Sequence, residues 1–293
     1  MSTSEDSALA AIGNSNTSDR QDVRAVSFDP DNPPWGILQA FLAWIGSVVF
    51  LWLVPQLCAL PYVTTHYRLA GPTKEMLLND KTFILILVAG FIPAHILTLG
   101  LTWAIVTRLG KTSFSKVLGF RFKNNVEIFT SVLGAILLFF VTMFLIYKFG
   151  GQDTDFEKIL RSSRIAALIT AFVAVATAPL VEEIIYRGLL YSAFQRAIGS
   201  VLAVILVTSM FAGLHVLQYW PNFGAIAAIS LLSLTLTVVR ARTGRLLPCF
   251  LIHLVFNGIQ SILIVIDPYM HALHEMWQHD AGQALLRLLK FFA

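Results

Sequence analysis

Charge is what this sequence has least of. Only 13% of its 293 residues are Asp, Glu, Lys or Arg, about half of what a soluble domain carries. A water-exposed fold of this length is excluded, because there are too few ions to cover it. Cysteine is nearly missing too. Cys58 and Cys249 lack the spacing of a thiolate metal site or a disulfide framework and read as small buried hydrophobes. No hydrophobic stretch opens the chain. Its first 34 residues are rich in Ser, Asp and Asn, without the apolar region of a cleavable signal, so a disordered polar tail is expected up to Pro33-Pro34-Trp35. The final Lys290-Phe291-Phe292-Ala293 carries no prenylation motif, so the chain is not itself expected to be prenylated.

What is present is hydrocarbon. Hydrophobic residues make up 56% of the chain and the mean hydropathy is +0.72. They come in long runs rather than at a period of 2 or 3.6. A bilayer core is crossed by about 20 apolar residues per helix, and seven runs qualify, at about 37–62, 83–107, 126–149, 165–195, 200–219, 223–240 and 246–266. The expected fold is an all-α integral membrane bundle of about seven transmembrane helices, or eight with a C-terminal interfacial helix. The fourth run exceeds one crossing and predicts a tilted or projecting helix. Trp220-Pro221-Asn222 leaves room only for a tight hairpin between the fifth and sixth. The chain divides into the polar tail 1–34, N-terminal helices with an amphipathic segment over 35–125, a helical core over 126–266, and an amphipathic tail over 267–293. The segment at 112–123, TSFSKVLGFRFK, predicts a short helix lying on the membrane surface, and ALLRLLKFF at 284–292 reads the same way. His271, His274 and His279 precede that tail and read as solvated rather than metal-binding.

The basic residues are confined to loops. Arg108, Lys111, Lys116, Arg121 and Lys123 follow the second run, Arg240, Arg242 and Arg245 follow the sixth, and Arg196 closes the fourth. Alternating helices put all three places on one side. This is the positive-inside pattern rather than a nucleic-acid footprint, and it predicts a cytoplasmic N-terminus with the lipid bilayer as partner and no nucleic acid.

Against this background the polar residues inside the runs are informative. The fourth run carries Glu182, Glu183 and Arg187, the fifth His215, and the seventh His253 and Asn257. An ionisable group at the bilayer centre costs about 2.5–3.5 kcal/mol on insertion scales and by default marks a functional site. Glu183 and Arg187 lie four apart, so they share a helix face and suit an ion pair. Glu182 is turned about 100° from Glu183 and free to point elsewhere. His253 and Asn257 are also four apart, and Phe211 lies one turn before His215. Measured from their helix ends, these groups fall at roughly comparable depths, so three helices can converge them on one pocket. A carboxylate with an imidazole can deprotonate a water, and a second imidazole with an amide can donate to an oxyanion. No Ser-His-Asp or Cys-His set is evident. Ser209 and Ser230 read as helix-packing hydroxyls, and polar pairs that merely tie helices together remain an alternative, above all for Glu183 and Arg187.

The segments EEIIYRG at 182–188, FAGLH at 211–215 and HLVFN at 253–257 resemble, in order, the EExxxR, FxxxH and HxxxN motifs of the CPBP family of CAAX proteases and bacteriocin-processing enzymes, which includes the Rce1-type prenyl-protein endoproteases. Pro179 and Gly188 flank the first motif, and Tyr186 stands where Phe is frequent. By position, the resemblance implies that Glu182 is the general base acting with His215 on the attacking water, that His253 and Asn257 stabilise the oxyanion, and that Glu183, Arg187 and Phe211 support the pocket. It implies an intramembrane endopeptidase acting on a membrane-anchored or prenylated substrate. It also favours a metal-free reaction with no cofactor, although Glu182, His215 and His253 would be the ligands if zinc were used. A bacterial inner membrane is the expected location. Two other classes stay open: an immunity or scaffold protein retaining the pocket without catalysis, and a proton-coupled transporter using the same groups as a relay, for which no inverted repeat is evident.

Overall fold

The computed structural model describes residues 29–67, 71–151 and 163–266, and among them there is no strand. Helix α1 is Ile37–His66 and α2 is Lys74–Asn79. Helix α3 consists of Lys81–Ala89 and Phe91–Thr107, joined at Gly90. Helix α4 is Phe114–Val117, α5 is Asn125–Phe149, α6 spans Arg164–Ile198, α7 is Ser200–Tyr219, α8 is Phe223–Thr243 and α9 is Leu247–Ile266. Seven of these (α1, α3, α5, α6, α7, α8 and α9) are long and apolar enough to cross a membrane, and they coincide with the seven predicted runs. No span buries more than 39% of its most apolar window against protein. The outward faces instead present Leu38, Trp52, Phe129, Phe140 and Leu217, a surface that only lipid can cover.

The helix starts follow from short polar side chains placed where the chain enters the bilayer. Asp80 accepts from the Thr82 and Phe83 N–H groups at the head of α3. Asn124, Ser163 and Asn222 do the same for α5, α6 and α8. Each satisfies backbone donors that lipid cannot. Helix α8 ends at Gly244, whose left-handed φ of 65° lets the chain turn sharply into α9.

Helix α6 is the hub. Its N-terminal part joins α1 and α3 through Ala59, Phe83, Ile84, Val88 and Ala166. Its C-terminal part packs with α1, α7 and the α4 turn in the largest core, which includes Trp35, Leu118, Leu189, Tyr191 and Phe211. A separate core holds α9 between α5 and α8, through Leu138, Phe139, Leu236, Cys249, Ile252 and Phe256. At its 35 residues, α6 would be about 50 Å long as a regular α-helix, well beyond a hydrocarbon core of about 30 Å. It is not regular: Val173–Thr177 and Glu183–Leu190 are π-helical. Pro179 sits in the first turn of the α-helical piece between them. Having no N–H, and crowding the preceding turn, it accounts for the first widening.

Four sequence expectations need correction. The polar tail is not disordered to residue 34, because Pro30–Trp35 is clamped by three arginines. Arg240 bonds the Asp31 carboxylate at 2.6 Å and the Pro30 carbonyl at 2.9 Å. Arg196 donates to the Pro33 and Trp35 carbonyls, and Arg108 donates to that of Pro34. The 112–123 segment is not a surface helix. Only Phe114–Val117 is helical, Gly119 at φ 66° turns the chain away, and Val117 and Leu118 are buried in the core. Cys58 is exposed on the lipid face of α1, whereas Cys249 is buried. Ser230 donates to the Ile226 carbonyl of its own helix and Ser209 is exposed, so neither ties two helices together. Residues 1–28 and the histidine-bearing tail 267–293 lie outside the described residues.

Candidate active site

The second π-helical stretch of α6 begins at Glu183 and carries Arg187. Both side chains are wholly buried, and the Arg187 Nη1 lies 3.0 Å from the Glu183 Oε1. An ion pair in such a place survives only if its remaining donors and acceptors are met. Here α8 meets those of the guanidinium: Arg187 Nη2 donates to the Ser233 carbonyl and hydroxyl, each at 2.9 Å, and Nε donates to Thr237 Oγ1 at 3.3 Å. The guanidinium also lies over the Phe211 ring at 4.8 Å, a cation–π contact inside a dry core.

The same Glu183 oxygen accepts from His253 Nδ1 of α9 at 2.9 Å. That bond fixes the imidazole tautomer, since Nδ1 must carry hydrogen to face a carboxylate. The other nitrogen, Nε2, faces Glu182 Oε2 at 3.7 Å. His253 therefore stands between two glutamates adjacent in sequence, one sealed from solvent and one, Glu182, with its side chain 22% exposed. The expected divergence of the two carboxylates is present, and His253 bridges it.

His215 is held differently. Its Nδ1 donates to the Phe211 carbonyl one turn earlier at 2.8 Å, leaving Nε2 with its lone pair when the ring is neutral. The imidazole stacks on the Phe211 ring with centroids 4.5 Å apart, and His253 meets that ring edge-on at 6.2 Å. Phe211 thus spaces the two histidines, but no hydrogen bond or ion pair joins His215 to Glu182. Asn257, one turn beyond His253, donates through Nδ2 to the Ala174 carbonyl at 2.9 Å, in the first π-helical stretch of α6. An amide has two N–H donors, so one remains for another acceptor. Glu182, Glu183, Arg187, Phe211, His215, His253 and Asn257 are all gathered at the meeting of α6, α7 and α9. Among the described residues no three His, Cys, Asp or Glu side chains form a metal-binding group.

Residues 164–259 match the family model for type II CAAX prenyl endopeptidase, Rce1-like. Over those residues the chain is similar to the Rce1-like family. Neither a curated protein nor a solved structure gives a match. The Rce1-like region starts with α6 and takes in all seven residues of the cluster, while α5, though packed on α8 and α9, lies before it. With seven candidate spans, the protein is an integral, multi-pass membrane protein.

Several residues that build the Rce1-like site carry no motif. Ser233 and Thr237 hold Arg187 from α8; their spacing of four on an apolar helix is the only hint the sequence offers. Trp44 of α1 donates to the Tyr186 hydroxyl at 3.0 Å. His95 of α3 is buried and donates through Nδ1 to Thr177 Oγ1 at 2.8 Å, while that hydroxyl donates to the Val173 carbonyl. His95 has no ionisable residue one turn away on its own helix, and its partner Thr177 lies on α6, so only folding reveals it.

Proposed function

We propose that this protein is an intramembrane endopeptidase that hydrolyses a peptide bond of a membrane-associated protein or peptide with a water activated by Glu182 and His215, without a metal cofactor. The observation that carries this reading is the division of labour between the paired glutamates. Glu183 is sealed and engaged through Oε1 by both Arg187 and His253, whereas Glu182 keeps partial exposure and no bond shorter than its 3.7 Å approach to His253.

In this reaction Glu182 takes a proton from water as its oxygen bonds to the scissile carbonyl carbon. His215 aligns that water through Nε2. His253, its Nδ1 held by Glu183, presents Nε2 to the oxyanion, with the second N–H of Asn257 beside it. Collapse breaks the C–N bond, and Glu182 returns its proton to the leaving amine. General-base assistance of this kind contributes about 10²–10⁴-fold in rate. The substrate reading is a membrane-anchored or prenylated protein reached from the cytoplasmic side, in a bacterial inner membrane.

The test is cleavage of a panel of membrane-anchored and prenylated peptides in proteoliposomes by wild type and Glu182→Ala, each with and without chelator. The expected result is cleavage by wild type that survives chelation and falls by at least about 100-fold in the variant. Equal cleavage by Glu182→Ala sinks the mechanism. Loss on chelation with restoration by zinc reassigns Glu182, His215 and His253 as ligands.

A further inference from the structure

Two basic loops far apart in sequence meet at the end of the bundle that holds the arginine clamp. The loop before α5 brings Arg121, Phe122 and Lys123, and the α8–α9 turn brings Arg242, Thr243 and Arg245; together they line an open cleft of about 480 Å³. The loops are locked in register: Leu246 N–H donates to the Gly119 carbonyl at 3.1 Å. Arg245 grips Glu127 with Nη2 at 2.6 Å and Nε at 3.2 Å, and the Lys123 N–H donates to the same carboxylate at 2.6 Å.

The charge balance at the cleft is one-sided. Glu127 is engaged by Arg245, and Asp31, the other acid beside the turn, is engaged by Arg240. The Thr243 hydroxyl is used by the Val239 carbonyl and the Arg245 N–H. Arg121 and Arg242 are exposed and have no acidic partner among the described residues, and Lys123 is exposed and shares the Glu127 carboxylate with Arg245. The cleft is not out in water. Helix α5 enters the membrane within two residues of Lys123, and its first turn presents Val126 and Phe129, 65% and 67% exposed. An excess of cations directly above an apolar strip matches a molecule with an anionic phosphate above hydrocarbon chains.

We propose that this cleft binds the phosphate headgroup of an anionic glycerophospholipid, with the acyl chains lying along Val126 and Phe129 of α5. Arg121, Lys123 and Arg242 hold the phosphate, and the Arg245–Glu127 bridge sets the distance between the two loops. The shared chemistry would also suit a free phosphate, but the cleft's place at the membrane edge assigns it to lipid.

The experiment uses the full-length protein in phosphatidylcholine liposomes with trace spin-labelled phosphatidylglycerol or phosphatidylcholine. The reading is the motionally restricted fraction of each by electron paramagnetic resonance. Wild type is expected to prefer phosphatidylglycerol about fivefold or more, and Arg121→Gln/Lys123→Gln/Arg242→Gln is expected to lower that ratio toward one. Arg242→Gln alone should lower it part-way, which serves if the triple variant misfolds. Lys111→Gln/Lys116→Gln removes two exposed basic residues of the same face outside the cleft and should keep the preference. Equal loss in that control reduces the effect to diffuse surface charge and overturns the site. Unchanged preference in the triple variant overturns it as well. Displacement of the labelled lipid by sodium phosphate, but not by sodium chloride at equal ionic strength, assigns the cleft to a free anion. Displacement by an acidic peptide at that ionic strength assigns it to a protein partner.

Discussion

Glu183 illustrates how a single residue can be structural and still matter to chemistry. Its Oε1 takes both the Arg187 and the His253 bonds, while Oε2 is buried with no hydrogen-bond partner. Such a group is stable only with its cations in place. Arg187→Met should therefore cost about 3–5 kcal/mol by stranding a buried carboxylate. The double variant Glu183→Gln/Arg187→Met should recover part of that loss. Thermal unfolding of the purified proteins in one detergent checks the order, and a double variant no more stable than Arg187→Met alone would refute the account. The sequence announces this pair through its spacing of four. It is silent on Ser233, Thr237 and the Ala174 carbonyl, because these are contacts between helices.

Among the elements, α3 shows how an entry point into the membrane is stabilised. Partial burial acts to raise the Asp80 carboxyl, but hydrogen bonds from Tyr67, the Phe83 N–H, Tyr62 and the Thr82 N–H outweigh it and hold it below the usual carboxylate range. Its bond to Asp80, helped by desolvation, pushes the Tyr67 phenol up to about 12. A carboxyl depressed in the folded state contributes stability above its unfolded pKa and loses that contribution as pH falls through the folded value. Asp80→Ala should cost about 1 kcal/mol at neutral pH as a lost helix cap, and the gap from wild type should close below about pH 4. Melting curves across pH test this. At the crossing of α5 and α8 the constraint is steric. A Cβ on Gly224 would stand 2.8 Å from the Ile146 Cα and the Gly150 nitrogen, both backbone. Gly224→Ala should push the helices apart and destabilise by about 1–3 kcal/mol, whereas Gly134→Ala, with nothing within 4 Å of its Cβ, should be neutral in the same assay. The seven spans were legible as elements because length and apolarity are properties of a segment alone. The π-helical turns of α6 were not, because their widening answers to Pro179 and to the helices packed around it.

Across the whole molecule, the arginine clamp places the ends of α3, α6 and α8 at one end of the bundle, since Arg108, Arg196 and Arg240 all bind the Pro30–Trp35 strap. This is the side that the loop charges assign to the cytoplasm. In a Cys58→Ala background, an impermeant thiol reagent applied to intact cells should label Trp220→Cys, 61% exposed at the opposite end. It should label Leu109→Cys, 76% exposed beside the clamp, only after permeabilisation. The reverse pattern would invert the assigned orientation.

Membrane residence, the number of spans and the three polar motifs were determined by the sequence itself. Each depends on what a helical segment can or cannot leave in contact with lipid, and that is written in its own side chains. The placing of His253 between two glutamates, the spacing of two histidines by Phe211, the strap under three arginines and the basic cleft were decided only by tertiary structure. All are contacts between segments tens to hundreds of residues apart, and local pattern carries no record of which partner closes a bond.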